Sequence, residues 1–395
     1  MAQADGTGAG SLPNETTLSV DIAVVGGGPS GMVTALCAAQ SGWTTALVAP
    51  ALAHDPRTTA LLMPAVELLD ALGVWKNVEA SAAPLATMRI IDATDRLPRA
   101  PEISFNSQET GRDQFGFNVP NNALNEALRA RLVATDAIFH EATVAAVHPG
   151  TPFRLRTDEA VILADFVVAA DGANSKVRDA CGFSVRRWSY DQAAFVTTLS
   201  HQRPHGDTST EFHTAAGPFT LVPLPGERCS LVWVGRPDEV ARWAALDPGP
   251  LAREIEARAQ RILGRMRVDG PRGTLPMEGL VARYFGRNNV VLVGEAGHKF
   301  PPIGAQGLNL GMRDCAVLHK LLSTARSERS LRGVADRYDK ERRVDVAART
   351  VGVDLLNRSL LTDAPPVAAL RAVGVAAARN IEPLRKVMMR VGMGV

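Results

Sequence analysis

A chain of 395 residues, 46% hydrophobic and 21% charged, holds enough apolar material for a large core and two or three structural units. A formal net charge of +2 excludes both the concentrated basic stripe of a nucleic-acid binder and the acidic block of a solvating tail. Cys37, Cys181, Cys229 and Cys315 lie far apart with no C-x-x-C spacing, so neither zinc nor a paired redox centre is indicated. Thiols of that kind suit a reducing compartment, and a cytoplasmic protein is expected.

Residues 1–18 are rich in Gly, Ala and Thr, lack the charged and apolar regions of a secretory signal, and are expected to form a disordered tail. Val20 to Val25 is a short apolar run ending at three glycines, the pattern of a buried parallel strand. Good helix formers follow from Pro29 to Gln40. Gly42 stops that helix, and Trp43 to Val48 predicts a second strand, which makes a right-handed βαβ unit. Leu124, Leu128 and Leu132 recur every four residues and predict a helix over 122–133, capped by Asn121 or Asn122.

Short strands are expected over 139–165, then a buried strand from Phe166 to Ala170. Beyond Gly182 the character changes. Phe195 to Leu199, Phe219 to Leu224 and Cys229 to Val234 predict an antiparallel sheet, with a turn at Pro225-Gly226-Glu227-Arg228. Helices are expected near 238–246 and 249–263, a buried strand returns at Val290 to Val293, and everything from about 331 should be helical. No apolar stretch reaches the roughly 20 residues of a membrane span.

Three glycine-bearing motifs carry the chemistry. Gly26-Gly27-Gly28-Pro29-Ser30-Gly31 contains G-x-G-x-x-G between a strand and a helix, where bare backbone and a helix N-terminus receive a pyrophosphate. The acid that should hold the ribose is missing, because the second strand ends Leu47-Val48-Ala49-Pro50; Asp55 is the nearest substitute. Asp171-Gly172 follows a strand, with Ser175 and Arg178 spaced to stabilise the turn and present a cation near phosphate. The longest motif runs from Val293 to Asp314. It brings Glu295 to a strand end, holds Pro301 and Pro302 extended, and leaves Gly304 to Gly307 bare for a flat ligand before a helix begins near Leu308.

In this order the motifs resemble those of the class A flavin monooxygenases, and the resemblance implies a para-hydroxybenzoate-hydroxylase-like fold. Within that family the chain is most similar to the ubiquinone-biosynthesis hydroxylases. The likeness rests on Pro302 to Gly311, on Asp55-Pro56-Arg57-Thr58-Thr59-Ala60-Leu61 with Leu72-Gly73-Val74-Trp75, and on the ending Pro383 to Gly394. It implies an α/β fold in which a Rossmann-like FAD-binding domain (19–75, 115–182 and 281–330) is interrupted by an antiparallel β-sheet substrate domain (76–114 and 183–280). A helical segment (331–395) completes the chain.

The resemblance places FAD against Gly26, Gly28, Pro29, Ser30, Gly31, Arg57, Asp171, Glu295, Pro302, Gly304, Gly307, Leu308 and Asn309, the last three through backbone groups at the flavin ring. Glu295 stands where the family more often has Asp. The implied reaction hydroxylates the ring of a polyprenylated ubiquinone precursor with NAD(P)H and O2, through a flavin 4a-hydroperoxide. No catalytic acid or base is named, and a phosphate-side packing or hydrogen-bonding role is favoured for His298. His201, His205 and His213 do not make a metal site. The basic, apolar C-terminal stretch is expected to close the FAD domain, with contact to the inner face of a membrane or to a quinone-biosynthesis complex as the sharper expectation. A soluble phenol or polyketide as substrate, or a flavin-holding subunit without turnover, stays open.

Overall fold

The computed structural model describes residues 16–94, 100–301, 306–361, 374, 377 and 380–393. The first sheet begins with β1 (Thr16–Val25), followed by α1 (Pro29–Gln40) and β2 (Thr45–Ala49). β1 starts before the expected end of the tail: Thr16, Thr17 and Leu18 pair with Ala160, Val161 and Ile162. Backbone pairing with a ten-residue partner extends the strand through residues that carry no buried-strand pattern. Residues 1–15 lie outside the described residues.

The sheet runs in the order Gly286–Arg287, Val290–Leu292, Ala160–Ala169, β1, β2, Ile138–Glu141. From Val290–Leu292 to Ile138–Glu141 every neighbouring pair is parallel. Val290–Leu292, β2, the end of β1 and most of Ala160–Ala169 are buried on both faces, which is why they read as apolar runs, whereas Ile138–Glu141 at the edge is not. α1 accepts Pro29 in its first turn, where a missing N–H costs nothing, and Gly31 to Ala38 are buried throughout.

The second sheet has the order His298–Lys299, Gly273–Ala282, Val185–His201, Arg228–Gly235, Gly217–Leu224, Thr208–Thr214, Thr87–Asp92, Ile103–Asn106, with Met266–Val268 beside Val185–His201. Its pairs are antiparallel except one: Thr87–Asp92 runs parallel to Thr208–Thr214. These two strands are separated in the chain by much of the first sheet, so no hairpin dictates their relative direction. On this sheet Trp233 stacks on Trp243, with ring centroids 3.7 Å apart.

A third, three-stranded sheet joins the other two. It is built from β3 (Thr58–Leu62), Gly116–Pro120 and Ala83–Leu85, and β3 leads directly into α2 (Met63–Ala71). Asn118, buried on its central strand, donates to the Pro223 carbonyl and to Ser230 Oγ in the second sheet. α3 (Asn121–Val133) starts one residue earlier than expected, and neither asparagine caps it: the cap position is Pro120. Asn121 and Asn122 turn instead to the 54–59 loop, where Asn121 donates to Asp55 and Asn122 accepts from the Asp55 N–H.

α4 (Lys176–Ala180) follows the strand Ala160–Ala169, while α5 (Pro237–Ala245) and α6 (Pro248–Arg258) lie with the second sheet. α7 (Gln306–Glu328) packs on α1, and α8 (Val334–Leu361) packs on α7. A last helix spans Glu382–Met393.

Candidate functional site

Parallel strands side by side all point their C-terminal ends one way, and ligands of open α/β sheets sit at those ends. Here five such ends form a row. In sheet order they lead to Gly294, Asp171, Gly26, Ala49 and Glu141. Motifs separated by more than 100 residues in sequence thereby share one edge.

The three fingerprint glycines do different things. Gly26 has φ +118°, and a Cβ there would stand 2.2 Å from the Ala170 oxygen. A Cβ on Gly31 would stand 1.9 Å from the Gly26 oxygen, so the turn and the helix are pressed together. Gly28 is the opposite case: a Cβ there would meet nothing within 4 Å. It is the cap residue of α1 and no side chain caps that helix, so bare backbone and free N–H groups face open space. Ser30 sits against the third motif, close to where Cβ atoms on Gly294 and Gly311 would lie.

Asp171 Oδ2 accepts from the N–H groups of Lys176 and Val177 at the start of α4. Its Oδ1 is buried with no partner. Burial raises the pKa of this carboxyl, and the hydrogen bonds from Ser175 and the backbone oppose the rise. Ser175 caps α4 by accepting from the Arg178 N–H. Arg178 presents no cation to solvent, contrary to expectation. It is fully buried and donates to the carbonyls of Ala173 and Ala296, which ties the Asp-Gly turn to the Glu295 turn. A guanidinium with five donors is used here as a brace between two loops.

The third motif is held from behind. Glu295 is exposed on a short 3₁₀ turn that starts at Gly294 (φ +61°), just beyond the strand Val290–Leu292. Asp314 on α7 accepts from the Gly294 N–H at 2.8 Å, from His298 Nε2 at 2.6 Å and from Arg342 Nε at 2.6 Å. Burial pushes the Asp314 pKa up, but the charges of His298 and Arg342 and these hydrogen bonds hold it below the ordinary carboxylate value. Arg342 also reaches Asp345, which takes further ion pairs from Arg313 and Arg349. Asp314 had no assigned role from the sequence. A carboxylate sixteen residues beyond His298 in the following helix carries no short-range pattern that reveals the pairing.

Arg57 lies on the facing loop and forms a two-pronged pair with Asp55, Nε to Oδ1 and Nη2 to Oδ2, both 2.7 Å. Asn121 also donates to Asp55, and together these contacts hold the Asp55 pKa at about 2 against the raising effect of burial. Asp55 is therefore committed to shaping its own loop and is a poor substitute for the missing ribose acid. The Arg57 charge is stabilised first by Asp55 and additionally by Glu295, which puts the second-strand loop and the third motif within electrostatic reach.

α7 begins at Gln306, two residues ahead of the expected start. Gly307 is exposed with open space where a Cβ would be, and Leu308 is half-buried. The Asn309 side chain is buried, accepts from the Leu62 N–H and donates to the Ala60 carbonyl, so it clamps β3 against α7. Pro302 and Gly304 lie outside the described residues. No group of three or more metal-ligating side chains occurs among the described residues.

These features fit a dinucleotide: an uncapped helix N-terminus, an open glycine, and a buried carboxylate oxygen that still lacks a donor. A sequence profile described as FAD binding domain matches residues 19–352. The chain belongs to this FAD-binding family. The ubiquinone hydroxylase UbiL of Rhodospirillum rubrum is 31% identical to it, over 95% of this chain and 89% of that protein. The 3-demethoxyubiquinol 3-hydroxylase of Escherichia coli is 29% identical, over 96% and 100%. In fold, the chain matches the p-nitrophenol 4-monooxygenase PnpA of Pseudomonas putida with a TM-score of 0.78, over 96% of this chain and 98% of that one, at 20% identity. As a member of this family the chain is an FAD-dependent aromatic hydroxylase. The redox chemistry of such an enzyme resides in the cofactor, which agrees with a strand-end row whose described residues supply backbone and braces.

Proposed function

We propose that this hydroxylase oxygenates the ring of a polyprenylated ubiquinone precursor, with NAD(P)H as electron donor and O2 as oxidant. The supporting observation is similarity along nearly the whole chain to proteins named for ubiquinone hydroxylation. FAD, when bound, would supply the redox chemistry, with two electrons from the nicotinamide and O2 as the source of the ring oxygen, the second oxygen atom leaving as water.

The residues of the chain seat and orient that group. Gly26 makes the turn, Pro29 opens α1 without an N–H of its own, and Gly28, Ser30 and Gly31 present backbone N–H groups to the pyrophosphate at the positive end of α1. Arg57, fixed by Asp55, and Glu295, fixed through Gly294 and Asp314, approach from opposite loops. The free Oδ1 of Asp171 accepts from the cofactor side, and Gly307, Leu308 and Asn309 offer backbone at the ring, where the N-terminus of α7 favours negative charge. Pro302 and Gly304 belong to the same assignment. So does the division into an FAD-binding part (19–75, 115–182, 281–330), a substrate part (76–114, 183–280) and a helical C-terminal part (331–395).

A prenylated substrate resides in lipid, so the proposal includes peripheral contact with a membrane. No helix among the described residues is long and apolar enough to cross one. Ile381, Val387 and Met388 near the C-terminus are each about half exposed. The cations on that helix are partly spoken for: Arg385 pairs with Glu109 and Lys386 with Glu382.

The test is NAD(P)H oxidation and product mass with prenylated ring precursors beside small soluble phenols. A hydroxylated, prenylated product is expected. Turnover of the soluble phenols alone would transfer the enzyme to another substrate class, and no turnover with any ring would leave a flavin-holding subunit.

A further inference from the structure

The first sheet offers a replacement for the acid that β2 lacks. Ala49 ends β2 with a methyl group packed 2.8 Å from where a Gly27 Cβ would lie, so its side chain faces the phosphate-binding turn. The next strand, Ile138–Glu141, is parallel to β2 and registers Glu141 directly beside Ala49. Neighbours in register on adjacent strands project to the same face of a sheet, about 4.8 Å apart. A glutamate side chain reaches across one such spacing.

Glu141 is also held in a defined place. Arg129 on α3 donates to Glu141 Oε2 at 3.0 Å while its guanidinium lies 5.2 Å from the centroid of the Phe139 ring. Oε1 takes no hydrogen bond among the described residues, and the side chain is 46% exposed at the ligand edge. Asp55, the other nearby carboxylate, already accepts from Arg57 and Asn121 on both its oxygens. In a dinucleotide seated with its pyrophosphate on the β1 turn, the adenosine ribose lies over the end of β2. Glu141 is the carboxylate one strand further along that edge.

We propose that Glu141, oriented by Arg129, accepts the hydrogen bonds of the adenosine ribose hydroxyls of FAD in place of the acid missing at Ala49. The assignment rests on the proposed seat of FAD on the β1 turn. Its function is to anchor the adenosine half of the cofactor, far from the reacting ring.

Apoprotein is titrated with FAD, and with an FAD analogue whose adenosine ribose lacks both hydroxyls, following flavin fluorescence. Glu141→Gln should weaken FAD about tenfold, the factor carried by one charge-assisted hydrogen bond, and leave affinity for the analogue unchanged. Wild type should bind the analogue about as weakly as the variant binds FAD. Equal FAD affinity in wild type and variant would overturn the role of Glu141, as would an equal loss for both ligands, which marks a structural effect. Wild type that takes up no FAD at all would overturn the seat itself.

Discussion

Two glycines three residues apart, Gly28 and Gly31, separate binding from folding. A Cβ at Gly28 enters open space, whereas one at Gly31 would overlap the Gly26 carbonyl oxygen at 1.9 Å. Gly28→Ala is expected to leave the melting temperature of the apoprotein unchanged and to weaken FAD about tenfold or more, because its methyl group occupies the space a phosphate would take. Gly31→Ala should lower apoprotein stability by roughly 1–3 kcal/mol, the usual cost of overpacking. Thermal melts and flavin titrations on both variants check this. A Gly28→Ala protein with unaltered FAD affinity would remove the pyrophosphate from this turn.

At the same scale, sequence spacing was informative only where a residue works through its own backbone. The glycine fingerprint is recognisable because its reason is local steric room. Arg178 has no such signature. Its spacing suggested a cation presented to phosphate, but three-dimensional burial between two loops makes it a brace.

Among the elements, α7 and α8 are joined by charge. Asp314 on α7 is fully buried and carries three donors, from Gly294, His298 and Arg342. Removing one partner from a buried ion pair strands the other, at a cost of about 3–5 kcal/mol. Asp314→Ala is therefore expected to destabilise the protein by that amount in urea, and to loosen the Glu295 turn, read as weaker FAD binding. A loss under about 1 kcal/mol would mean that the network contributes little.

The outer end of this network is sensitive to acid. Arg342, Arg313 and Arg349 hold the Asp345 pKa at about 2, below its ordinary 3.8, although burial alone would raise it. A folded-state pKa below the unfolded one stabilises the fold above the unfolded pKa. That contribution is lost as pH falls from 3.8 through about 2. Urea midpoints measured across this window should fall more steeply for wild type than for Asp345→Asn. Parallel slopes would contradict the pairing.

Over the whole molecule, the third sheet couples the second sheet to α7, the helix that packs on α1. Asn118 bonds the second sheet while β3 is clamped to α7 by Asn309. At the far end of the chain, Ile381, Val387 and Met388 stand out from a region whose cations are partly paired internally. Replacing all three by Ser should reduce flotation with anionic liposomes while FAD binding is retained. Equal flotation of variant and wild type would withdraw the membrane contact.

The order of buried strands, the βαβ start, the glycine turns and the change to a second sheet after residue 182 were all legible in the chain, because each depends on local periodicity or on backbone room. Which carboxylate meets which cation was not. Asp314 and His298, Asp55 and Asn121, Ala49 and Glu141 come together only when separate elements pack, and such pairings leave no spacing to recognise. The strand at Thr16–Leu18, expected as tail, and the parallel pairing of Thr87–Asp92 in a sheet expected to be antiparallel were missed for the same reason, since a backbone ladder depends on its partner and not on its own side chains. Sequence alone determined that glycine-bearing turns follow the ends of buried strands, because that depends on local room; only the tertiary structure decided that those ends share one edge and which side chains stand along it.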